Sequence, residues 1–447
     1  MAHDARGGSS GSRGGCVSCR PRACAALGCV SMAVPWSRCW RSGAGTAVLL
    51  DWCRGFSTRA FKVSGRRTPC STAAPQPATA RMKVLLRQGP VFNFNRPMTI
   101  ARHRDRCLYT TPRVGCSICN DAKLKDPFSL AQKDLQNLYE DIKKQLLVSK
   151  AELKALCDYY FDGKGKAFRP MIVILMARAC NVHSNKEGVL LPAQRSIAMI
   201  SEMIHTASLV HDDVIDDSGT RRGKNTINKV WGERKAILAG DFILSVASMA
   251  LARIGNNTVV SVLSQVIEDL VRGEFMQLGS KENENERFKH YLEKTFKKTA
   301  SLIANSCKAV SILVNSDPEV HEIAYQYGRN VGIAFQLVDD ILDFTSCANL
   351  LGKPSAADLK LGLATGPVLF ACQQFPELHA MIMRRFSSDG DVDRAWQYVL
   401  KSDGVEQTNY LAQHYCQEAI RQIRRLRPST ERDALIQLTE LVLRRDK

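Results

Sequence analysis

The chain of 447 residues carries 62 Lys and Arg side chains against 44 Asp and Glu, a formal net charge of +18 at pH 7. The first 100 residues hold +13 of this charge, and the rest of the chain holds only +5. This distribution excludes a uniformly basic nucleic-acid-binding protein and describes a basic leader on a nearly balanced body.

Residues 1–115 form this leader, which is rich in Arg, Ser, Gly and Ala and contains only Asp4 and Asp51 as acids in its first 100 positions. Such a composition is typical of a mitochondrial transit segment, because the membrane potential draws an acid-free basic presequence inward. The alternative is a disordered low-complexity tail with no targeting function. The leader predicts location in the mitochondrial matrix, with residues 116–447 as the globular domain.

Cysteines are concentrated near the N-terminus, where ten of the 16 lie within the first 120 residues. The pairs Cys16/Cys19 and Cys116/Cys119 have zinc-knuckle spacing, but neither has a second half at ligand distance, which favours an incidental origin. The six others are single residues in helical sequence, typical of small buried apolar side chains in a reducing compartment: Cys157, Cys180, Cys307, Cys347, Cys372 and Cys416.

From about Asp126 onward, apolar residues recur at steps of three and four, and the alternation typical of strands is nearly absent. No window approaches the ~20 apolar residues of a membrane helix, so we expect no membrane span. The sequence predicts one all-α domain of ten or more helices, with long helical runs at about 194–216, 236–254, 258–279, 295–314, 318–344, 362–374, 392–401 and 405–425.

A pair of basic residues, Lys166 and Arg169, and a histidine, His205, precede the acidic motifs. Lys166 and Arg169 lie three apart at the start of a predicted helix, where positive side chains oppose the helix dipole unless an anion joins them. His205 lies about two turns before Asp212 on roughly the same helix face. A solvated cation or a satisfied core histidine is the usual reading of each residue alone; together they favour a phosphate-binding site.

Two DDxxD motifs interrupt apolar helical sequence, at residues 212–216 and 339–343. Positions i and i+4 share a helix face, so Asp212 pairs with Asp216 and Asp339 pairs with Asp343. Adjacent like charges destabilise a helix unless a cation lies between them, and hard carboxylate oxygens suit Mg²⁺ held together with substrate phosphates. Asp213, Asp217 and Asp340 rotate away from the shared faces.

Further cations follow each motif, and Arg can bind phosphate through two parallel hydrogen bonds. These candidates are Arg221, Arg222, Lys297, Lys298 and Lys353. The paired acids and these cations together indicate a diphosphate substrate bridged by metal ions.

The segments GKAFRP, HTASLVHDDVIDDSGTRRG, KTASLIA, GIAFQLVDDILDF and GKP…ADLKLG resemble, in this order, the trans-polyprenyl diphosphate synthases. The resemblance covers about residues 127–447 and is closest to the subunit 1 type that makes the ubiquinone side chain in mitochondria. It implies an isoprenoid-synthase-type helical bundle around a central cavity. It also implies repeated condensation of farnesyl diphosphate with isopentenyl diphosphate to a long all-trans product such as decaprenyl diphosphate.

The resemblance also implies roles for individual residues. It assigns to the isopentenyl diphosphate site Lys166, Arg169, His205 and Arg222. It assigns to the allylic diphosphate Arg221, Lys298, Thr299, Gln336 and Lys353. It assigns as catalytic ligands of three Mg²⁺ ions, bound with the allylic diphosphate, Asp212, Asp216, Asp339 and Asp343.

One departure from the family pattern is clear. Many members have GKxT after the second acidic motif, whereas this chain reads Gly362-Leu363-Ala364-Thr365. No role transfers to Leu363, and whether Lys360 substitutes stays open. A resemblance to a subunit 1 implies a divergent second synthase subunit in a hetero-oligomer such as a heterotetramer, and a long isoprenoid product suggests peripheral contact with the inner mitochondrial membrane.

Product length follows from the positions four, five and eight residues before Asp212, which are Ser208, Ala207 and Ile204. Short-chain enzymes need a bulky aromatic stop there, so small residues predict an open tunnel and a long product. The alternatives are a short-chain, geranylgeranyl-type synthase, a terpene cyclase, which has no use for a second diphosphate site, and a non-catalytic partner subunit, which usually loses its acidic motifs.

Overall fold

Helices make up almost all of the structure, a computed structural model that describes residues 126–146, 151–162, 167–221, 223–279, 283–314, 317–345 and 356–445. The predicted leader, and with it the cysteine pairs, lies outside the described residues. Seventeen α-helices occur in the described part, which confirms the all-α class.

The first eight helices are α1 Pro127–Leu135, α2 Leu138–Gln145, α3 Ala151–Tyr160, α4 Phe168–His183, α5 Pro192–Ile215, α6 Ile227–Trp231, α7 Glu233–Arg253 and α8 Asn257–Leu278. The other nine are α9 Glu284–Thr295, α10 Ser301–Ile312, α11 Pro318–Thr345, α12 Ala357–Lys360, α13 Gly366–Ala371, α14 Glu377–Met383, α15 Asp391–Lys401, α16 Gly404–Ile423 and α17 Thr430–Arg444. A π-helical segment, Phe296–Ala300, joins α9 to α10, and strands β1 Thr220–Arg221 and β2 Lys224–Asn225 form an antiparallel hairpin.

The centre of the bundle is α10, of which every residue except Lys308 is buried, as expected of a helix that is surrounded by others. It packs against α4, α5, α8 and α11. Two glycines of α11 allow its backbone to lie close to Ala300 and Ala304. A Cβ at Gly332 would lie 2.6 Å from Cα of Ala300, and one at Gly328 would lie 2.8 Å from Cα of Ala304. Helix α10 therefore holds α5 and α11, the helices that carry the two acidic motifs, in fixed positions.

Most predicted helices match the structure within a few residues, but the run at 362–374 is too long. The helix begins only at Gly366, because Gly362 has φ +76° and Thr365 is extended. Similarly, the periodicity from Leu130 to Leu146 covers two helices, since Asn137 adopts the left-handed conformation between them. Periodicity reports which face is buried and does not register a single-residue break in the backbone.

Helix α7 modifies the expectation about membrane spans. It is long and apolar enough to cross a bilayer by length and composition, with a mean hydropathy of 1.6 over 18 residues, which the sequence reading missed. Its inner residues Ala239, Gly240, Ile243 and Ala247 belong to the protein core and the helix packs along α5. A core helix passes the same test, so this is weak support for a span.

The cysteine prediction is confirmed for the described residues. Cys157, Cys180, Cys307 and Cys416 are free and buried, and Cys372 is buried as well. Burial raises the pKa of the thiols of Cys157, Cys180, Cys307 and Cys416, that of Cys180 to about 12, so these side chains pack as small apolar groups. Cys347 lies outside the described residues.

Candidate active site

The first carboxylate pair lies at the C-terminal end of α5. Asp212 is in the last turn and Asp216 caps the helix, both half-buried. Burial raises the pKa of Asp212 to about 6, opposed by the charge of Lys298 and reinforced by Glu274 and Asp216. Burial likewise raises the pKa of Asp216. Carboxylates at the negative end of a helix dipole and partly removed from water call for a cation.

Lys298 lies beside this pair on the π segment between α9 and α10. Its Nζ is 2.5 Å from Oε2 of Glu274 and donates to Oε1 of Gln277 at 3.0 Å. Gly273 permits the approach, since a Cβ there would lie 2.7 Å from Cγ of Lys298. Lys297, the neighbouring residue on the π segment, instead forms an ion pair of 3.2 Å with Asp269.

Sequence reasoning missed Glu274 and Gln277. They lie three apart on one face of α8, directly after Gly273, and that spacing is the only signal that the sequence offered.

The second carboxylate pair lies near the C-terminal end of α11, and each member already has partners. Asp339 is 46% exposed and forms an ion pair of 2.7 Å with Arg445, the residue after α17. Arg445 also donates to the carbonyl of Phe335 and lies over its ring at 3.7 Å. Asp343 accepts the backbone N–H groups of Ala357 and Asp358 at 3.1 and 3.2 Å.

The inner acid of each motif is part of the framework, as the helical rotation predicted. Asp213 is 1% exposed, accepts from the Tyr160 hydroxyl at 2.6 Å and forms an ion pair of 2.7 Å with Arg221. Asp340 is buried and accepts from the Tyr291 hydroxyl and from Gln336 Nε2, while burial raises its pKa.

Gln336 connects the two halves of the site. Its Oε1 accepts from the Thr299 hydroxyl at 2.8 Å, and its Nε2 donates to Asp340 at 2.9 Å. The structure therefore brings together Lys298, Thr299 and Gln336, the described residues that the resemblance assigned to the allylic diphosphate, with the exception of Arg221.

Two turns before Asp212 along α5, Arg169 and His205 meet, with Nη1 of Arg169 2.8 Å from Nε2 of His205. His205 lines a pocket with about 800 Å³ of empty space, together with Lys224 and Arg221. The resemblance assigned Arg221 to the allylic diphosphate, but this residue lines the same pocket as His205 and donates a hydrogen bond to Asp213. Its charge still lowers the pKa of Asp212 and of Asp216.

Three predicted residues, Lys166, Arg222 and Lys353, lie outside the described residues. Of the tunnel residues, Ile204 and Ala207 are buried and Ser208 is half-buried, with its hydroxyl bonded to the His205 carbonyl of its own helix. Helix α5 therefore presents small side chains on the turns before Asp212.

The donor set suits Mg²⁺, since it consists of carboxylate oxygens whose burial opposes their charge. Within the described ranges no group of three or more His, Cys, Asp or Glu is close enough to hold an ion alone. That arrangement matches the habit of Mg²⁺ in phosphate-transfer sites, where one or two carboxylates bind the ion together with substrate phosphates.

The chain is similar in sequence to known proteins along most of its length. The Polyprenyl synthetase family matches residues 150–399. All trans-polyprenyl-diphosphate synthase PDSS1 of Mus musculus is 64% identical over 423 residues, which cover 93% of this chain and 100% of the relative. Decaprenyl-diphosphate synthase subunit 1 of Schizosaccharomyces pombe is 44% identical over 71% of this chain and 91% of its own length.

Two further relatives bear on location and ligands. Mitochondrial solanesyl-diphosphate synthase 1 of Oryza sativa is 42% identical over 72% of this chain and 79% of the relative. The crystal structure of a polyprenyl synthase from Caulobacter crescentus, complexed with calcium and isoprenyl diphosphate, is similar with a TM-score of 0.65. It is 29% identical and covers 72% of this chain and 97% of its own.

Proposed function

Because the chain belongs to the polyprenyl synthetase family and is a trans-prenyltransferase that makes long all-trans-polyprenyl diphosphates, we propose that it elongates farnesyl diphosphate with isopentenyl diphosphate to decaprenyl diphosphate for the ubiquinone side chain. The observation that carries this proposal is the half-buried pair Asp212 and Asp216 facing Lys298. Acids with raised pKa beside a lysine suit a diphosphate bound through cations, and no Ser or Cys nucleophile is needed.

Two groups of side chains bind the two substrates of the reaction. Arg169 and His205 bind the diphosphate of isopentenyl diphosphate, together with Lys166 and Arg222. Lys298 donates hydrogen bonds to the allylic diphosphate, and Thr299 does so when its hydroxyl proton turns from Gln336 Oε1 to the substrate. Three Mg²⁺ ions, when bound to Asp212, Asp216, Asp339 and Asp343, supply positive charge to the leaving diphosphate.

Condensation then needs only charge stabilisation and position. The C–O bond of the allylic diphosphate breaks, its electron pair leaves with pyrophosphate, and Lys298 stabilises the charge that develops on the leaving oxygens. The double bond of isopentenyl diphosphate attacks the allyl cation, and a proton of the new chain passes to pyrophosphate. Each round lengthens the chain by one five-carbon unit.

Two features favour a long product over a geranylgeranyl-type product. Ala207 is fully buried and Ser208 is half-buried, one turn before Asp212, so α5 itself places no aromatic side chain at these two positions. The similarity to decaprenyl and solanesyl synthases supports the same conclusion. Location in the mitochondrial matrix is supported by the basic leader and by the mitochondrial relative of Oryza sativa.

An apolar face on α7 and α8 supports assembly with a second synthase subunit. Leu238 is 64% exposed and Phe275 is 67% exposed. Ile237, Val271 and Leu278 are exposed on the same two helices. The two helices are joined by the short segment 254–256 and contact each other. Large exposed apolar patches of this kind mark protein interfaces.

The interface is tested by a paired substitution, Leu238→Asp with Phe275→Asp, measured by light scattering of the purified assembly. We expect dissociation, because each change places a charge where an apolar contact is needed. Leu441→Asp is the matched control, since Leu441 is exposed on α17, away from this face. An unchanged mass for the paired variant, or equal dissociation by the control, would refute this interface.

The reaction itself is tested by incubating the purified chain with farnesyl diphosphate, isopentenyl diphosphate and Mg²⁺, with and without the candidate second subunit. We expect release of one pyrophosphate for each five-carbon unit added, lost on chelation of the metal. Absence of condensation with both subunits present would contradict the proposed function. Two results together would identify this chain as a non-catalytic subunit. Activity would require a partner that carries intact acidic motifs, and Asp212→Asn would keep full activity.

A further inference from the structure

A second pocket lies at the position where the family pattern breaks. It has about 530 Å³ of empty space and is lined by Leu363, by Lys294 at the end of α9 and by Arg385. Leu363 follows the left-handed Gly362 and precedes α13. A lysine at position 363, as in many members of the family, would therefore stand in the wall of the pocket that Lys294 already lines.

This pocket adjoins the catalytic residues through two of its lining side chains. Gln277 accepts a hydrogen bond from Lys298 at 3.0 Å, and Tyr291 donates to Asp340 of the second acidic motif. An anion bound between the two acidic motifs is therefore within reach of the pocket wall formed by α9.

Lys294 lies between the charges of both halves of the site. Burial lowers its pKa, whereas Asp340, Asp358 and Glu274 raise it and Lys298 lowers it further. Its Nζ is 5.8 Å from the centre of the Tyr291 ring, and within the described ranges no carboxylate oxygen lies within the 4.0 Å of an ion pair. A half-buried ammonium group without a carboxylate in direct contact favours an anionic ligand.

Lys360, the other candidate to replace the missing lysine, has a different environment. Its side chain is exposed at the end of the four-residue helix α12, and it does not line the pocket. Of the two lysines, only Lys294 combines partial burial with proximity to Asp340 and Lys298.

We propose that Lys294 replaces the lysine absent at Leu363 and binds the diphosphate of the allylic substrate. This inference rests on the proposed function. Its ammonium group donates a hydrogen bond to an oxygen of the diphosphate and keeps its proton while the allylic C–O bond breaks and the electron pair leaves with pyrophosphate. Arg287 and Arg385 line the same pocket and add to its positive potential.

The test compares Lys294→Met with the control Lys360→Met in the full-length assembly. For Lys294→Met we expect kcat/KM for farnesyl diphosphate to fall by about 10²-fold, as for the loss of one donor to a developing anion. The KM for isopentenyl diphosphate should change less than about twofold, because neither Arg169 nor His205 lines the pocket of Lys294. An equal change in the kinetic constants for both substrates would overturn the assignment. An equal loss of kcat/KM for farnesyl diphosphate in Lys360→Met would also overturn it.

A rescue experiment separates binding from folding. The double variant Lys294→Met with Leu363→Lys should recover at least about tenfold of the lost kcat/KM, since it returns one ammonium group to the same pocket. Failure to recover, in a variant with the melting temperature of the wild type, would overturn the equivalence of the two positions.

Binding of inorganic pyrophosphate with Mg²⁺, measured by titration calorimetry, supplies a readout that does not depend on turnover. We expect Lys294→Met to weaken this binding about tenfold and Lys294→Arg to preserve it, whereas equal binding by Lys294→Met would refute the role. If the wild type binds pyrophosphate through Lys294 but condenses no substrates, the proposed function fails while the assignment of Lys294 stands.

Discussion

The adjacent acids Asp212 and Asp213 are expected to respond to the same substitution in opposite ways. Asp213 is buried against Arg221 and Tyr160, so Asp213→Asn removes the charge that balances a partly buried guanidinium group. Breaking one partner of a buried ion pair costs about 3 kcal/mol or more, and the lower end applies because Arg221 is partly exposed. We therefore expect the melting temperature to fall by about 5–10 °C.

Asp212→Asn should instead leave the melting temperature unchanged or raise it when no metal is added. Burial lifts the pKa of Asp212 from 3.8 to about 6, which means that its charge destabilises the folded state at neutral pH by at most about 3 kcal/mol. Asparagine removes that charge with little change in volume. Turnover should nevertheless fall by orders of magnitude, because a metal-binding oxygen is lost.

Both variants are measured by thermal melting without metal and by pyrophosphate release with Mg²⁺, below the melting temperature of each. Near-normal turnover of Asp212→Asn would refute the metal assignment. A melting temperature of Asp213→Asn equal to that of the wild type would refute the framework role of Asp213. The opposition between stability and activity at Asp212 is the expected property of a residue retained for function.

Three further outcomes are expected. Arg445→Ala should lower the Mg²⁺ concentration for half-maximal activity by at most about fivefold, because its partly exposed pair with Asp339 is worth about 1 kcal/mol at most; a higher requirement would contradict this. Ala207→Tyr should shorten the product seen by mass spectrometry, and unchanged length would refute the tunnel along α5. Gly332→Ala should lower the free energy of unfolding by about 1–3 kcal/mol, measured in urea, because its Cβ would overlap Ala300; no loss would show that the π segment and α11 can move apart without cost.

The acidic motifs were predictable because helical spacing alone places Asp212 with Asp216 and turns Asp213 inward. The contact between Arg169 and His205 was predictable only as a shared phosphate role, since the two residues come from different helices. The all-α class was predictable because the apolar periodicity of the body is helical almost throughout.

Other features of the site depend on tertiary packing that no local pattern encodes. Glu274 reaches the first acidic pair because Gly273 lets the π segment approach α8. Arg445 reaches Asp339 from 106 positions away along the chain. The π segment itself requires no unusual residue, so nothing in Phe296–Ala300 distinguishes it from an ordinary helical turn.

The most direct test of the central claim is the mass of the product made by the full-length assembly from farnesyl diphosphate, excess isopentenyl diphosphate and Mg²⁺. We predict an all-trans-polyprenyl diphosphate of decaprenyl length as the main product, abolished in Asp212→Asn. A main product that stops at geranylgeranyl diphosphate, or a decaprenyl product that persists in Asp212→Asn, would contradict it.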